Sequence, residues 1–341
     1  MSEKKAIKSN GQPAIRVSHL SKHFKVYKKD AGLLGSITSL WHREYEEVMA
    51  VDDVSFEIAQ GEVVGFIGQN GAGKTTTLKM LSGLLYPTHG EVSVLGYNPW
   101  DRQPEFQKQF ALVMGQKNQL WWDLPAMESF ILNKTIYGIS DVQFKKTLGI
   151  LVDLLDVQDI INIQVRKLSL GQRMKCELIA ALLHNPRVLF LDEPTIGLDV
   201  VMQKILREFI KTYNKEFNAT IILTSHYMDD VKELCKRAII MDHGHTIFDG
   251  KLKDIIEKYA RFKIIKLVFS RAVSHAEISK FGTIKEHTED GLLHSATLLV
   301  SRKDVPRVAS AVLQSLPLED MTIEEPPIEA IIRDVFENSA R

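Results

Sequence analysis

The chain has 341 residues, room for about two domains, and its 45% hydrophobic and 25% charged content is that of an ordinary globular protein, which excludes collagen-like, disulfide-scaffold and extensively disordered classes. Its 43 Lys and Arg cancel 43 Asp and Glu, so no global positive field points to nucleic acid. No window reaches the roughly 18 apolar residues that cross a bilayer, and the polar start lacks the apolar segment of a signal peptide, so a cytosolic location is expected.

In chain order, a polar tail over residues 1–12 precedes a strand at Ala14–Val17. Lys22, Lys25, Lys28 and Lys29 cluster just beyond, either as a solvated face or as a surface meeting acidic lipid or phosphate. Leu33, Leu34, Ile37, Leu40, Trp41 and Tyr45 recur at three- and four-residue steps. This spacing predicts a short amphipathic helix over 33–47, its stripe packed on its own domain or on a membrane partner. Two strands, 51–58 and 62–68, flank a Gln60-Gly61 turn, and a helix over 74–84 follows a glycine loop. The apolar runs Val188–Leu191, Thr220–Leu223 and Ala238–Met241 read as buried strands with helical periodicity between them, an α/β pattern with a mainly parallel sheet. Residues 125–185 read as a largely helical lobe inserted into it. After a helix at 251–259, strands near 262–269, 293–301 and 321–323 and helices near 305–316 and 328–336 predict a small C-terminal α+β domain over 261–341. Cys176 and Cys235 lack metal-ligand spacing and, without an export signal, read as buried thiols rather than a disulfide.

The chemistry concentrates in a few short motifs. Gly68-Gln69-Asn70-Gly71-Ala72-Gly73-Lys74-Thr75, followed by Thr76, fits the phosphate-binding loop, and it stands after an apolar strand and before a helix as that loop requires. Glycines let backbone N–H groups curl around phosphate oxygens at a helix N-terminus. Lys74 would reach the β- and γ-phosphates, and the Thr75 hydroxyl would ligate Mg2+. Downstream, Val188–Leu191 ends in Asp192-Glu193. A carboxylate at a strand end can hold the metal and the next can deprotonate the attacking water, so Asp192 reads as the metal-side acid and Glu193 as the base.

Leu168-Ser169-Leu170-Gly171-Gln172-Arg173 stands with Ser169 23 positions before Asp192, and with the phosphate loop it resembles the nucleotide-binding domain of ABC transporters over roughly residues 14–255. The resemblance implies a P-loop NTPase fold: a RecA-like core, an antiparallel β subdomain and a helical signature subdomain at about 117–186, within a domain spanning 14–258. It implies ATP hydrolysis with Mg2+ between two such subunits, in a homo- or heterodimer. By position, Phe24 matches the aromatic residue that stacks on adenine, with Tyr27 in reserve. Gln116 matches the glutamine that reaches Mg2+ and water. Ser169, Gly171 and Gln172 match the signature that binds the other subunit's γ-phosphate, Asp199 the segment that crosses the interface, and His226 the histidine that contacts γ-phosphate. Leu170 departs from the usual glycine; reduced tolerance in that loop rather than lost activity is expected.

The resemblance further implies transmembrane permease subunits as partners, no nucleic acid, and a peripheral place on the cytoplasmic face of the membrane. The adjacent Trp121 and Trp122 either dock on the permease or lie buried in the helical lobe. The single ATPase domain and the Pro326-Pro327-Ile328 stretch near the end are similar to drug-resistance-type exporters of the type-2 group. Acidic Glu319-Asp320 and Glu324-Glu325 read as a dimer or regulatory surface, or as solvated loops. The competing reading is a soluble ABC ATPase of DNA repair or translation; the chain lacks the second ATPase domain of the translation type and the heptad insertion of the chromosome type.

Overall fold

The computed structural model describes residues 12–27, 45–115, 117–225, 227–260, 262–284 and 292–339. Two compact units divide at Asp249 and Gly250. The first opens on an antiparallel sheet. Its strands are β1 (Ile15–Tyr27), β2 (Tyr45–Ile58) and, after β3 (Val63–Ile67) and helix α1 (Lys74–Leu81), β4 (His89–Val94), in the order β2-β1-β4. Ile15 faces Ile58 on one side and Val94 on the other, and all three are fully buried. The amphipathic helix expected at 33–47 does not hold at its end. Tyr45, Glu46 and Glu47 lie in β2 opposite Tyr27, Val26 and Lys25, because main-chain pairing across the ladder overrides an apolar spacing too short to hold a helix alone. The rest of that stretch, with Lys28 and Lys29, lies outside the described residues.

The second sheet of this unit adds β5 (Phe110–Met114), β6 (Val188–Asp192), β7 (Thr220–Thr224), β8 (Arg237–Asp242) and β9 (His245–Lys251), in the order β5-β6-β7-β3-β8-β9. The pairs from β5 through β8 are parallel. β6 and β7 are buried along their whole length, which is why they read as unbroken apolar runs rather than alternating ones. Between β5 and β6 lies the helical lobe: α2 (Ala126–Tyr137), α3 (Asp141–Leu155) and α4 (Leu170–Leu182). Helices α5 (Val200–Phe217) and α6 (Met228–Leu234) follow β6 and β7. Helix α1 ends at Leu81 rather than Leu84; the chain turns at Gly83 (φ +72°), whose N–H bonds to Met80 O. Cys176 and Cys235 are free and buried, and burial pushes the Cys176 thiol up to about 12. Among the described residues no helix is long and apolar enough to cross a membrane.

The second unit opens on α7 (Leu252–Tyr259) and contains β10 (Phe262–Ser274), β11 (Thr283–Ile284), β12 (Leu292–Ser301), α8 (Val305–Ser315), β13 (Leu318–Glu324) and α9 (Ile328–Ser339). The four strands form one antiparallel sheet in the order β11-β12-β10-β13. Ile265, Leu267 and Phe269 of β10 alternate inward onto Ala296 and Leu298 of β12 and onto Val308 and Val312 of α8. Glu319 and Asp320 are exposed on a strand rather than in a loop, while Glu324 pairs with Lys266 at 2.7 Å and Glu325 with Arg302 at 2.6 Å. Helix α7 packs against α9 within this unit.

The lobe holds one buried acid. Glu177 on α4 is 2% exposed, lies 3.9 Å from Arg173 Nε, and has one oxygen, Oε2, without a hydrogen-bond partner among the described residues. Burial pushes its carboxyl up from 4.5 to about 7, against the pull of the Gln119 N–H and Arg173. The folded chain therefore binds more protons than the unfolded one between pH 4.5 and 7. The contribution of this group to stability is full below 4.5 and is lost as pH rises toward 7. Urea unfolding of wild type and Glu177→Gln across pH 4.5 to 8 is expected to show the difference in unfolding free energy moving by about 3 kcal/mol against the wild type.

Candidate functional site

The site grows from the carboxyl ends of β3 and β6. Strand β3 delivers the loop 68–73, and α1 starts at Gly73 with φ +100°, a conformation open to glycine; a Cβ there would lie 2.5 Å from Ala50 O. Ala72 is buried, whereas Gln69, Asn70 and Gly71 are exposed and Thr76 is half-buried. Lys74 is 5% exposed, and its Nζ donates to Gly68 O at 2.7 Å and Gln69 O at 3.0 Å. Burial lowers its pKa, and the charges of Glu193 and Asp192 oppose that shift, so the ammonium stays matched to the acids opposite.

The acids arrive on β6. Parallel register sets Asp192 between Met114 of β5 and Thr224 of β7. Its carboxylate accepts from Thr75 Oγ1 at 2.8 and 3.1 Å and from Thr224 Oγ1 at 2.7 Å. Glu193 follows with φ +53°, unusual for a residue with a Cβ and worth about 1–3 kcal/mol of strain. Its N–H donates to Thr224 Oγ1 at 3.0 Å, which holds the turn. Thr75, Lys79, Met114, Lys117, Asp192 and Glu193 line an open cleft of about 230 Å³. Two ammonium groups and two carboxylates around one opening suit a polyanion accompanied by a divalent cation. The Thr75 hydroxyl and the Asp192 carboxylate are hard oxygen donors at the cleft edge, and they fit magnesium, which keeps several waters and takes few protein ligands.

The signature residues sit elsewhere. Ser169 caps α4 in a reciprocal capping box: its Oγ accepts from Gln172 N at 3.2 Å and its N–H donates to Gln172 Oε1 at 2.9 Å. Asp199 caps α5, accepting from Met202 N at 2.9 Å. The two helix starts abut. A Cβ on Gly171 would lie 2.9 Å from Met202 Cε, and one on Gly197 would lie 3.1 Å from Leu170 Cδ2, so the departing Leu170 packs on the Gly197 turn. None of Ser169, Gly171, Gln172 and Asp199 lines the cleft. Phe24 also stays outside it, on β1, its ring half-exposed with Lys22 Nζ 5.1 Å from the centroid. Gln116 and His226 lie outside the described residues, as does the Tyr27 side chain. The tryptophan pair is not buried in the lobe: Trp121 is 53% and Trp122 46% exposed, with the Arg173 guanidinium 5.5 Å from the Trp122 ring.

Sequence reasoning missed Thr224, Lys79, Lys117 and Gly115. Thr224 ends the run Thr220–Leu223, one residue before Ser225, and that position at a strand end was its only signal. Gly115 N donates to Asp192 O at 2.8 Å, and a Cβ on it would stand 2.0 Å from Glu193 O. The acid turn therefore needs a residue without a side chain on the neighbouring strand's end.

Comparison with known proteins places this geometry. The family model described as ABC transporter matches residues 51–196, and one described as EvrA-like ABC transporter, C-terminal domain, matches residues 261–324. The ABC transporter ATP-binding protein NatA of Bacillus subtilis is 36% identical over 210 residues, 62% of this chain and 85% of that protein. The Nod factor export ATP-binding protein I of Cupriavidus pinatubonensis is 30% identical over 225 residues, 66% of this chain and 69% of that protein. A solved structure of an ATP-binding subunit of an ABC transporter matches with a TM-score of 0.60 at 26% identity, covering 72% of this chain and 93% of that one.

Gly115→Ala is expected to displace the Glu193 turn and lower the rate of ATP hydrolysis at least tenfold, with ATP binding retained. Steady-state phosphate release alongside nucleotide titration checks it.

Proposed function

Because the chain belongs to the ABC transporter ATP-binding proteins, and is therefore an ATPase, we propose that it powers an exporter. It does so from the cytoplasmic face of the membrane, through separate membrane-spanning permease subunits. The observation that carries this reading is the junction of Thr75, Asp192, Thr224 and Glu193 at the mouth of the phosphate loop. Export rather than import follows the relative named for Nod factor export. The two relatives above are named for a transporter and for export, which favours this reading over a role in DNA repair or translation. The unit up to Asp249 forms the motor, and the unit from Gly250 an accessory domain.

Lys74 and the amides of Gly68–Thr76 hold the β- and γ-phosphates, and Phe24 stacks on adenine. Thr75 and Asp192, with Gln116, would hold magnesium, which would supply charge neutralisation at the phosphates. Glu193 takes the proton of the attacking water while His226 contacts the γ-phosphate. The exposed start of α4, at Ser169, Gly171 and Gln172, presents the positive end of the helix dipole to an anion, while the N–H groups of Ser169 and Gln172 are bonded within the capping box. These residues serve the γ-phosphate bound by a second nucleotide-binding subunit, and Asp199 lies at that interface. ATP then bridges two chains, and its hydrolysis releases them.

Glu193→Gln is expected to lower steady-state ATP hydrolysis by 10²- to 10⁴-fold while ATP affinity stays within about twofold; a native rate overturns the assignment of the base. The exposed Trp121 and Trp122 are the docking residues for the permease. Affinity purification from membranes should recover the co-purifying membrane subunit several-fold less well with Trp121→Ala or Trp122→Ala, and unchanged recovery with both rejects that docking role.

A further inference from the structure

Asp230, on α6, has no role in the reading above, and its surroundings are specific. The residue is fully buried. Its Oδ2 accepts from Thr195 Oγ1 at 2.6 Å and from Ser225 Oγ at 2.6 Å, and its Oδ1 accepts from Arg207 Nη1 at 3.0 Å. Arg207 is itself buried, and its Nε lies 3.2 Å from Glu233.

The three donors come from three separate pieces of chain, and each piece leads into the site. Thr195 is two residues past Glu193, inside the consecutive turns that run from Glu193 to Asp199, where Ile196 N bonds to Glu193 O at 3.2 Å and Leu198 N to Thr195 O at 3.2 Å. Ser225 directly follows Thr224 at the end of β7, and its Oγ also accepts from Tyr227 N at 2.9 Å. Arg207 lies two turns into α5, the helix that Asp199 caps. One carboxylate thus ties together the turn bearing the base, Ser225 at the end of β7, and the helix that Asp199 caps.

A buried ion pair contributes little net stability over apolar packing of the same volume, so what this cluster supplies is geometry. Geometry is what the site lacks locally. Glu193 sits at φ +53°, a conformation that persists only when its surroundings impose it. Thr224 holds the amide end of that turn, and Thr195, through Asp230, holds the other.

We infer that Asp230 is a positioning residue for ATP hydrolysis, locking the Glu193–Asp199 segment to Ser225 at the end of β7 and to Arg207 of α5 so that the base keeps one fixed place. The inference rests on Glu193 being the base. Misplacing a catalytic group by about 1 Å costs on the order of 10²-fold in rate. Asp230→Asn keeps the side chain's shape but removes its charge and one acceptor.

In the full chain, Asp230→Asn is expected to lower kcat by about 10- to 100-fold while KM for ATP and the affinity for a non-hydrolysable ATP analogue stay within twofold. Thr195→Val and Ser225→Ala each remove one hydroxyl and should lower kcat several-fold. Combining either with Asp230→Asn should lower it no further, since all act through one carboxylate. If Asp230→Asn does not fold, the two hydroxyl variants carry the test. Native kcat in a folded Asp230→Asn, native kcat in both hydroxyl variants, or losses that multiply in the combinations would overturn the inference. Glu193→Gln measured in parallel separates the two readings. A native rate there removes the base assignment, whereas its full loss together with native kcat in Asp230→Asn removes the inference alone.

Discussion

Contacts of the Thr75 hydroxyl with both oxygens of the Asp192 carboxylate, its one proton shared between them, join residues 117 apart in sequence, and the site is organised around them. They form because β3 and β6 run parallel and are separated by β7 alone, so the loop after one strand and the acids after the other emerge at the same edge of the sheet. Ligands in open parallel sheets bind beyond the carboxyl ends of the strands for this reason. Thr224, on the strand between, contributes a hydroxyl to Asp192 and both its hydroxyl and its carbonyl to the amide of Glu193. The spacing of acid, hydroxyl and lysine is thus a property of sheet register rather than of any loop.

Around that junction the charges are balanced at short range. A buried ammonium at Lys74 is held by two carbonyls of its own loop, within reach of the charges of Glu193 and Asp192. A phosphate entering there meets backbone amides, a helix N-terminus and this ammonium, while the acids lie on the side where a metal and water would stand. The signature segment completes nothing in its own chain. In its capping box the side chains of Ser169 and Gln172 each accept from the other's backbone N–H, and the helix start with its positive dipole end stays exposed.

The C-terminal unit is built on a different principle. Its antiparallel strands alternate, with one face closing on α8 and the other carrying Lys266, Thr322 and Glu324. It has its own core, and its match to the EvrA-like C-terminal domain sets it apart from the ATPase unit.

Where a motif's chemistry is local, the amino-acid order alone determined it. The phosphate loop needs glycines, a lysine and a threonine at set spacing beside a strand and a helix. The acid pair needs an apolar strand before it, and the signature needs a capping pair three residues apart. These are short-range constraints of backbone geometry and capping, and they were legible residue by residue, as were the buried strands β6 and β7. Tertiary structure decided the rest, because the deciding contacts are between strands and turns far apart in the chain. Only the ladder to β1 shows that Tyr45–Glu47 continue a strand. Only the register of β5 against β6 shows why Gly115 must be glycine. Only the burial of Asp230 among Thr195, Arg207 and Ser225 reveals it as a hub, since nothing in its surface-like sequence neighbourhood of Asp229 and Lys232 marks it, and a carboxylate out of water must collect donors wherever the fold supplies them.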